Sequence, residues 1–251
     1  MQSFTNAVAL VTGAASGIGA AVATSLANSG ARKLILIDRD EDRLRDFAFS
    51  LPCERSILIG DVSDPGLWPD ADLTGLTHAV ANAGIASAGP IASLDFDEWR
   101  RVMNVNLDGT FLTLQAAMRA IRSTGRGSIV VTASAAGVKA EPGIAAYAAS
   151  KAGVIQLARV AAKEGAQDEI RVNVIAPGGV ETPIWDAVPM FADRANEIGR
   201  QAAFDEMAAM AAPLKRYAKA DEIAAQVAFL LSDECKTVTG TVFISDGGYT
   251  L

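Results

Sequence analysis

With 251 residues, half of them hydrophobic and 20% charged, the chain has enough apolar material for a sizeable core and too little charge for disorder. A net charge of -7 at pH 7 argues against nucleic acid as a partner, because phosphate binding needs concentrated Lys and Arg. Cys53 and Cys235 are too few and too isolated for a disulfide framework or a zinc site, so two free thiols in a reducing cytosol are expected and no metal.

The segment Met1-Gln2-Ser3-Phe4-Thr5-Asn6 places no basic region ahead of the first apolar run, which speaks against a signal peptide. No apolar run approaches the roughly 18 residues needed to span a bilayer. A cytoplasmic protein without a membrane partner is expected. Short β-rich runs then alternate with helical stretches. Strands are expected at residues 7–12, 33–38, 56–60, 77–81, 128–133, 170–176 and 241–245, and helices at 18–29, 41–50, 95–122, 144–166 and 221–231. Continuous apolar strands between helices predict an α/β fold, a doubly wound parallel sheet of about seven strands covered on both faces. No repeat, low-complexity tract or linker interrupts the pattern, so 1–251 reads as a single domain.

The first strand runs into Thr12-Gly13-Ala14-Ala15-Ser16-Gly17-Ile18-Gly19, and Gly30 ends the helix that follows. Glycines between a strand and a helix allow a sharp turn and let a pyrophosphate approach the helix N-terminus, whose dipole favours an anion. Asp38 closes the second strand, where a carboxylate hydrogen-bonds adenosine ribose hydroxyls and repels a 2′-phosphate. Arg39 would attract that phosphate, but Asp40, Glu41 and Asp42 crowd the same corner and the glycine loop carries no cation. The balance favours NAD over NADP. Asp61 follows the third strand, Asn82-Ala83-Gly84 the fourth, Ser134 the fifth and Pro177-Gly178-Gly179 the sixth. In an open parallel sheet these carboxyl ends form one rim, where ligands bind.

Tyr147 and Lys151 are four apart and share one face of a helix, while Pro142 and Gly143 lie in the loop that folds the helix start back towards Ser134. A hydroxyl, a phenol and an ammonium around one small space suit proton transfer, because a nearby positive charge eases loss of the phenol proton. A surface helix with an incidental Tyr and Lys is the plain alternative for this short pattern.

Taken together, these residues resemble the short-chain dehydrogenase/reductase family over nearly the whole chain. The matching pieces are Thr12 to Gly19, Asp61-Val62, Asn82-Ala83-Gly84, Asn106 in Val-Asn-Leu-Asp-Gly, Ser134, Tyr147-x-x-x-Lys151, Pro177-Gly178 and Asp246-Gly247-Gly248, all in family order. The resemblance implies a Rossmann-like fold and a catalytic set of Asn106, Ser134, Tyr147 and Lys151. Tyr147 would be the acid/base, Ser134 would hold the reacting oxygen, Lys151 would bind the nicotinamide ribose and lower the Tyr147 pKa, and Asn106 would anchor a relay water. Cofactor contacts are implied for Gly13, Ser16, Gly17, Ile18, Gly19, Asp38, Asp61, Val62, Asn82, Ala83, Gly84, Tyr147, Lys151, Pro177, Gly178, Val180 and Thr182. Moving a free Tyr from a pKa of about 10 towards 7 needs about 4 kcal/mol of phenolate stabilisation.

Two departures stand out. Pro65, Gly66, Pro69 and Gly75 lie between Val62 and Leu76, so the helix usual there is expected to be shortened, and Ala81 replaces a common second Asn. His78 is the only histidine and starts the fourth strand, opposite the rim, which leaves a Ser-His-Asp hydrolase without its base. The apolar segment 184–212 would be the substrate lid. The reading is an NAD-dependent oxidoreductase acting on a small secondary alcohol or ketone, as a homotetramer by resemblance. Its rivals are a 3-oxoacyl thioester reductase using NADPH and a non-catalytic dinucleotide-binding regulator.

Overall fold

Every residue of β1 (Val8–Thr12) is buried. Successive side chains leave a strand on opposite faces, so Val8 and Leu10 enter one apolar cluster while Ala9 and Val11 enter another. β2 (Lys33–Asp38) repeats the division, with Leu34 and Leu36 on the Ala9 side and Ile35 and Ile37 on the Val8 side. Apolar residues at both parities force cover on both faces, which is why the strands read as unbroken apolar runs.

The computed structural model describes residues 3–251. The other strands are β3 (Glu54–Ile59), β4 (His78–Ala81), β5 (Gly127–Thr132), β6 (Ile170–Pro177) and β7 (Val242–Ser245). They form a seven-stranded sheet of order β3-β2-β1-β4-β5-β6-β7, parallel at every pairing. The helices are α1 (Gly17–Asn28), α2 (Glu41–Phe49), α3 (Phe96–Met103), α4 (Gly109–Arg122), α5 (Ala145–Gly165), α6 (Pro189–Ile198), α7 (Arg200–Ala211) and α8 (Ala220–Leu231). α1, α2 and α8 cover the Ala9 face, and α4 and α5 cover the Val8 face. Chain order reverses at β1, which pairs with β2 on one side and β4 on the other, and a ligand crevice is expected above that reversal. Among the described residues no helix is long and apolar enough to cross a membrane.

Local chemistry accounts for the element ends. Asp40 caps α2 by accepting from the Arg43 amide at 3.1 Å, and Gly30, at φ +91°, takes the turn after α1 that a side chain would resist. The segment expected to hold a shortened helix holds only a 3₁₀ turn, Pro65–Asp70, with Pro69 inside it. Arg171 on β6 donates to the carbonyls of Leu230, Leu231, Ser232 and Val238 at 2.9–3.2 Å, and so ties the end of α8 to the sheet. One helix departs from the sequence pattern. Residues 95–122, expected as one regular helix, contain a π-turn at Asn104–Asp108 between α3 and α4. A π-turn takes in one extra residue, and here it directs Asn106 inward, where its side-chain bonds repay the wider turn.

Candidate active site

The loop after β1 needs its glycines for different reasons. Gly13 (φ +64°) and Gly17 (φ +53°) lie in the left-handed region, whereas a Cβ on Gly19 would collide with the Gly13 carbonyl oxygen. Asn82 braces the loop from β4, its Nδ2 donating to the Thr12 carbonyl at 3.1 Å and the Gly13 carbonyl at 3.4 Å. Thr12 Oγ1 in turn accepts from the amides of Asn82 at 3.0 Å and Ala83 at 3.1 Å. Ser16, the N-cap of α1, makes no side-chain cap among the described residues, and the first turn holds no acidic residue. Its amides are therefore left for an anion, which fits the pyrophosphate of a dinucleotide. Asp38 accepts from the Ala15 amide at 2.9 Å on one oxygen and from the Asp40 amide at 3.0 Å on the other. The same carboxylate thus fastens the glycine loop to the start of α2 and faces the crevice.

The groups expected to handle a proton meet beyond β5. Ser134 Oγ accepts from the Ala136 amide at 3.1 Å and donates to the Pro177 carbonyl at 3.5 Å, which holds the hydroxyl between two strand ends. Tyr147 is half-buried on the first turn of α5, and its phenol pKa is raised, because burial outweighs the lowering by a hydrogen bond from Ser134; the lowering expected from Lys151 is not seen in the protein alone. Lys151 is buried, its Nζ 5.8 Å from the Tyr147 ring centre and donating to the Thr132 carbonyl at 2.9 Å. Burial lowers its pKa to about 8, so it keeps its positive charge at neutral pH. Asn106 is fully buried behind them, with Oδ1 accepting from the Ile85 amide at 2.8 Å and Nδ2 donating to the Ile85 carbonyl and Ser150 Oγ, each at 3.0 Å. Ser150 Oγ donates onward to the Tyr147 carbonyl at 2.7 Å.

One cavity of about 900 Å³ runs over the carboxyl ends of the strands. All of the residues expected to touch cofactor or substrate line it except Gly19 and Asn106, which stand behind Gly13 and Ile85. His78 lies elsewhere, paired through Nδ1 with Thr77 Oγ1 at 2.8 Å, its pKa pushed down to about 4 mainly by burial.

The far wall of the cavity comes from a 3₁₀ turn at Pro183–Ala187, α6 and α7. Phe191, Phe204 and Tyr217 form a small core of their own, with Trp185 stacked on Tyr217 at 5.4 Å. Arg200 pins this group. Its guanidinium pairs with Asp186, donates to the Thr182 carbonyl at 2.9 Å and sits 5.3 Å and 5.2 Å from the Phe191 and Phe204 ring centres. Neither Arg200 nor the cavity-lining Lys139, Glu141 and Tyr249 was marked by any sequence motif, because each acquires its place through partners distant in the chain.

Comparison with known proteins gives a consistent result. A family model described as enoyl-(acyl carrier protein) reductase matches residues 13–250. The cis-4-hydroxycyclohexanecarboxylate dehydrogenase of Sinomonas cyclohexanicum is 38% identical over 258 residues, covering 99% of this chain and 98% of its own. Levodione reductase of Leifsonia aquatica is also 38% identical, covering 98% of this chain and 94% of its own. Among solved structures, carveol dehydrogenase from Mycobacterium avium in complex with NAD matches with a TM-score of 0.90 at 30% identity, covering 99% of both chains.

Proposed function

This chain belongs to the short-chain dehydrogenase/reductase family, and on that premise we propose an NAD-dependent oxidoreductase that interconverts a secondary alcohol and its ketone. The observation that carries the reading is the convergence of Ser134, Tyr147 and Lys151 in the same cavity as the Gly13–Gly19 loop. A regulator that only bound the dinucleotide would have no need of a hydroxyl and a phenol set for proton transfer. The names of the two 38% identical relatives, a dehydrogenase and a reductase, support the alcohol and ketone reading. Asp38 and the acidic residues after it favour NAD and weigh against the thioester reductase that uses NADPH.

When bound, the nicotinamide accepts or supplies the hydride. The chain's own residues handle the proton. Ser134 turns its single hydroxyl proton from the Pro177 carbonyl, a long contact at 3.5 Å, to the substrate oxygen, and Tyr147 takes the proton from an alcohol or gives one to a ketone. Lys151 stabilises the phenolate, which alcohol oxidation consumes and ketone reduction leaves behind. Both amide protons of Asn106 are already committed, to Ile85 and Ser150, which makes it a brace for the loop after β4 and for α5. A relay water still has a place. The spot that a Gly84 Cβ would fill lies 3.2 Å from Asn106 Oδ1 and 3.3 Å from Lys151 Nζ, within hydrogen-bond reach of both.

The test is a spectrophotometric panel of secondary alcohols and ketones with NAD and NADH across pH 6–10. Oxidation needs the deprotonated phenol, so its kcat/KM rises with pH. Reduction needs the protonated phenol, so its kcat/KM falls over the same range. Absence of NADH formation with every alcohol, or identical pH profiles in the two directions, would contradict the assignment of Tyr147.

Assembly into a homotetramer is part of the proposal. Phe96 and Phe111 on the α3–α4 helix, and Phe243 and Ile244 on the edge strand β7, stay exposed as apolar faces. Light scattering is expected to give four times the chain mass of 26.0 kDa, and a monomer at working concentration refutes this part.

A further inference from the structure

The substrate side of the cavity is walled mainly by apolar side chains, among them Ile144, Trp185, Met207 and Met210. Three polar residues that the proton chemistry does not use reach the same space: Lys139 and Glu141, from the loop before α5, and Tyr249, from the end of the chain. Lys139 Nζ donates to the Tyr249 carbonyl at 2.7 Å, lies 4.2 Å from the Tyr249 ring centre and stands 3.7 Å from Glu141 Oε1. The segment that carries Tyr249 is itself fixed, because Asp246 accepts from the amides of Gly248 at 2.9 Å and Thr250 at 2.8 Å. Burial and then the Glu141 carboxylate push the Tyr249 phenol pKa up, so this ring stays neutral across the working range.

An ion pair on open surface would contribute little and mean little. This pair differs in its place. It opens into a chamber whose other walls are mainly apolar, in the cavity that also holds Ser134 and Tyr147, and its side chains remain 40% and 37% exposed. The ammonium has three N–H groups, and the Tyr249 carbonyl and Glu141 account for two of them. The carboxylate has lone pairs to spare. Together they offer one donor and one acceptor to a ligand, with no net charge.

We propose that the preferred substrate is bifunctional, and that its end remote from the reacting carbon carries a neutral oxygen group, a hydroxyl or a carbonyl, bound by Lys139 and Glu141. A hydroxyl donates to Glu141 and accepts from Lys139, and a carbonyl accepts from Lys139. A carboxylate at this end would lie against Glu141 and is disfavoured. The apolar chamber covers the carbon skeleton between the two ends. The inference rests on the alcohol and ketone reading of the site and refines it to a substrate class.

The experiment compares kcat/KM for cyclohexanol, 1,4-cyclohexanediol and 4-hydroxycyclohexanecarboxylate with NAD, in the wild type and in Lys139→Met and Glu141→Gln. The wild type is expected to favour the diol over cyclohexanol by about ten- to a hundredfold, the range for a hydrogen bond to a charged group. In Lys139→Met that ratio is expected to fall to within about threefold of one, and in Glu141→Gln to an intermediate value. Because each ratio is taken within one preparation, a partly folded variant does not alter it. A wild type that treats cyclohexanol and the diol alike, a diol preference that survives both substitutions, or a wild-type preference for the carboxylate over the diol would each overturn the proposal. These outcomes leave the oxidoreductase reading intact, which fails only if no alcohol reduces NAD.

Discussion

Replacing Tyr147 by Phe is expected to lower kcat for alcohol oxidation about a thousandfold, within the range that positioned proton transfer contributes, while NAD affinity stays within about threefold. Phe retains the ring, and so retains the packing on the first turn of α5 while losing only the oxygen. The contacts proposed for the dinucleotide, from Gly13, Gly17, Asp38 and Asn82, lie on other elements and do not depend on the phenol. Ser134 keeps its bond from the Ala136 amide and can still turn its proton to a substrate oxygen, but no group remains to take the proton. Steady-state rates combined with calorimetric titration of NAD separate the two effects. A variant with near-wild-type kcat would sink the mechanism, and one that lost NAD binding along with turnover would point to a structural role for the phenol.

The second large effect concerns the adenosine end. Wild-type protein is expected to prefer NAD over NADP by about a hundredfold in kcat/KM, since a carboxylate a few ångströms from a 2′-phosphate costs a few kcal/mol in a partly shielded cleft. Asp38→Asn should narrow that preference to about tenfold or less, because the repulsion goes while the exposed Arg39 remains next to it. NAD turnover should also fall by a few fold. Asp38 uses one oxygen for the Ala15 amide and the other for the Asp40 amide, and an asparagine side chain can accept only one of these. The change in cofactor ratio and the loss with NAD thus have separate causes, one electrostatic and one structural. Equal or better rates with NADP in the wild type would overturn the assignment.

Much of this arrangement was legible in the sequence, and what escaped has a common physical reason. The second strand was read as Lys33 to Asp38 and is found with those ends, because its apolar run stops where charge begins. The rim of strand-end residues was legible because parallel strands must present their carboxyl ends together. The scarcity of helix between Val62 and Leu76 followed from two prolines and two glycines. By contrast, the acceptor that holds Lys151 is a carbonyl nineteen residues away, and the clamp between Arg200 and Thr182 joins positions eighteen apart. Lys139 and Glu141 meet the chain's end across more than a hundred residues. Backbone acceptors carry no residue-type signal, so side chains whose task is to reach them look like ordinary surface polarity until the fold brings the partners together. The π-turn was hidden for a related reason: an apolar repeat of 3.6 reports which face is buried and does not report a single residue inserted into it.

That inserted residue has a consequence for the helix as a mechanical part. An α-helix advances about 100° per residue, so one extra residue at Asn104–Asp108 sets α4 out of phase with α3 by roughly that angle. On a regular helix Val102 would stand about a quarter turn away from the stripe of Leu114, Ala117 and Ile121, and the inserted residue brings it onto that stripe. A single rod thus keeps one side turned inward along both halves, with the extra residue taken up between them. Asn106 sits at that joint, where it can be aimed at Ile85 without turning Leu114 off the sheet.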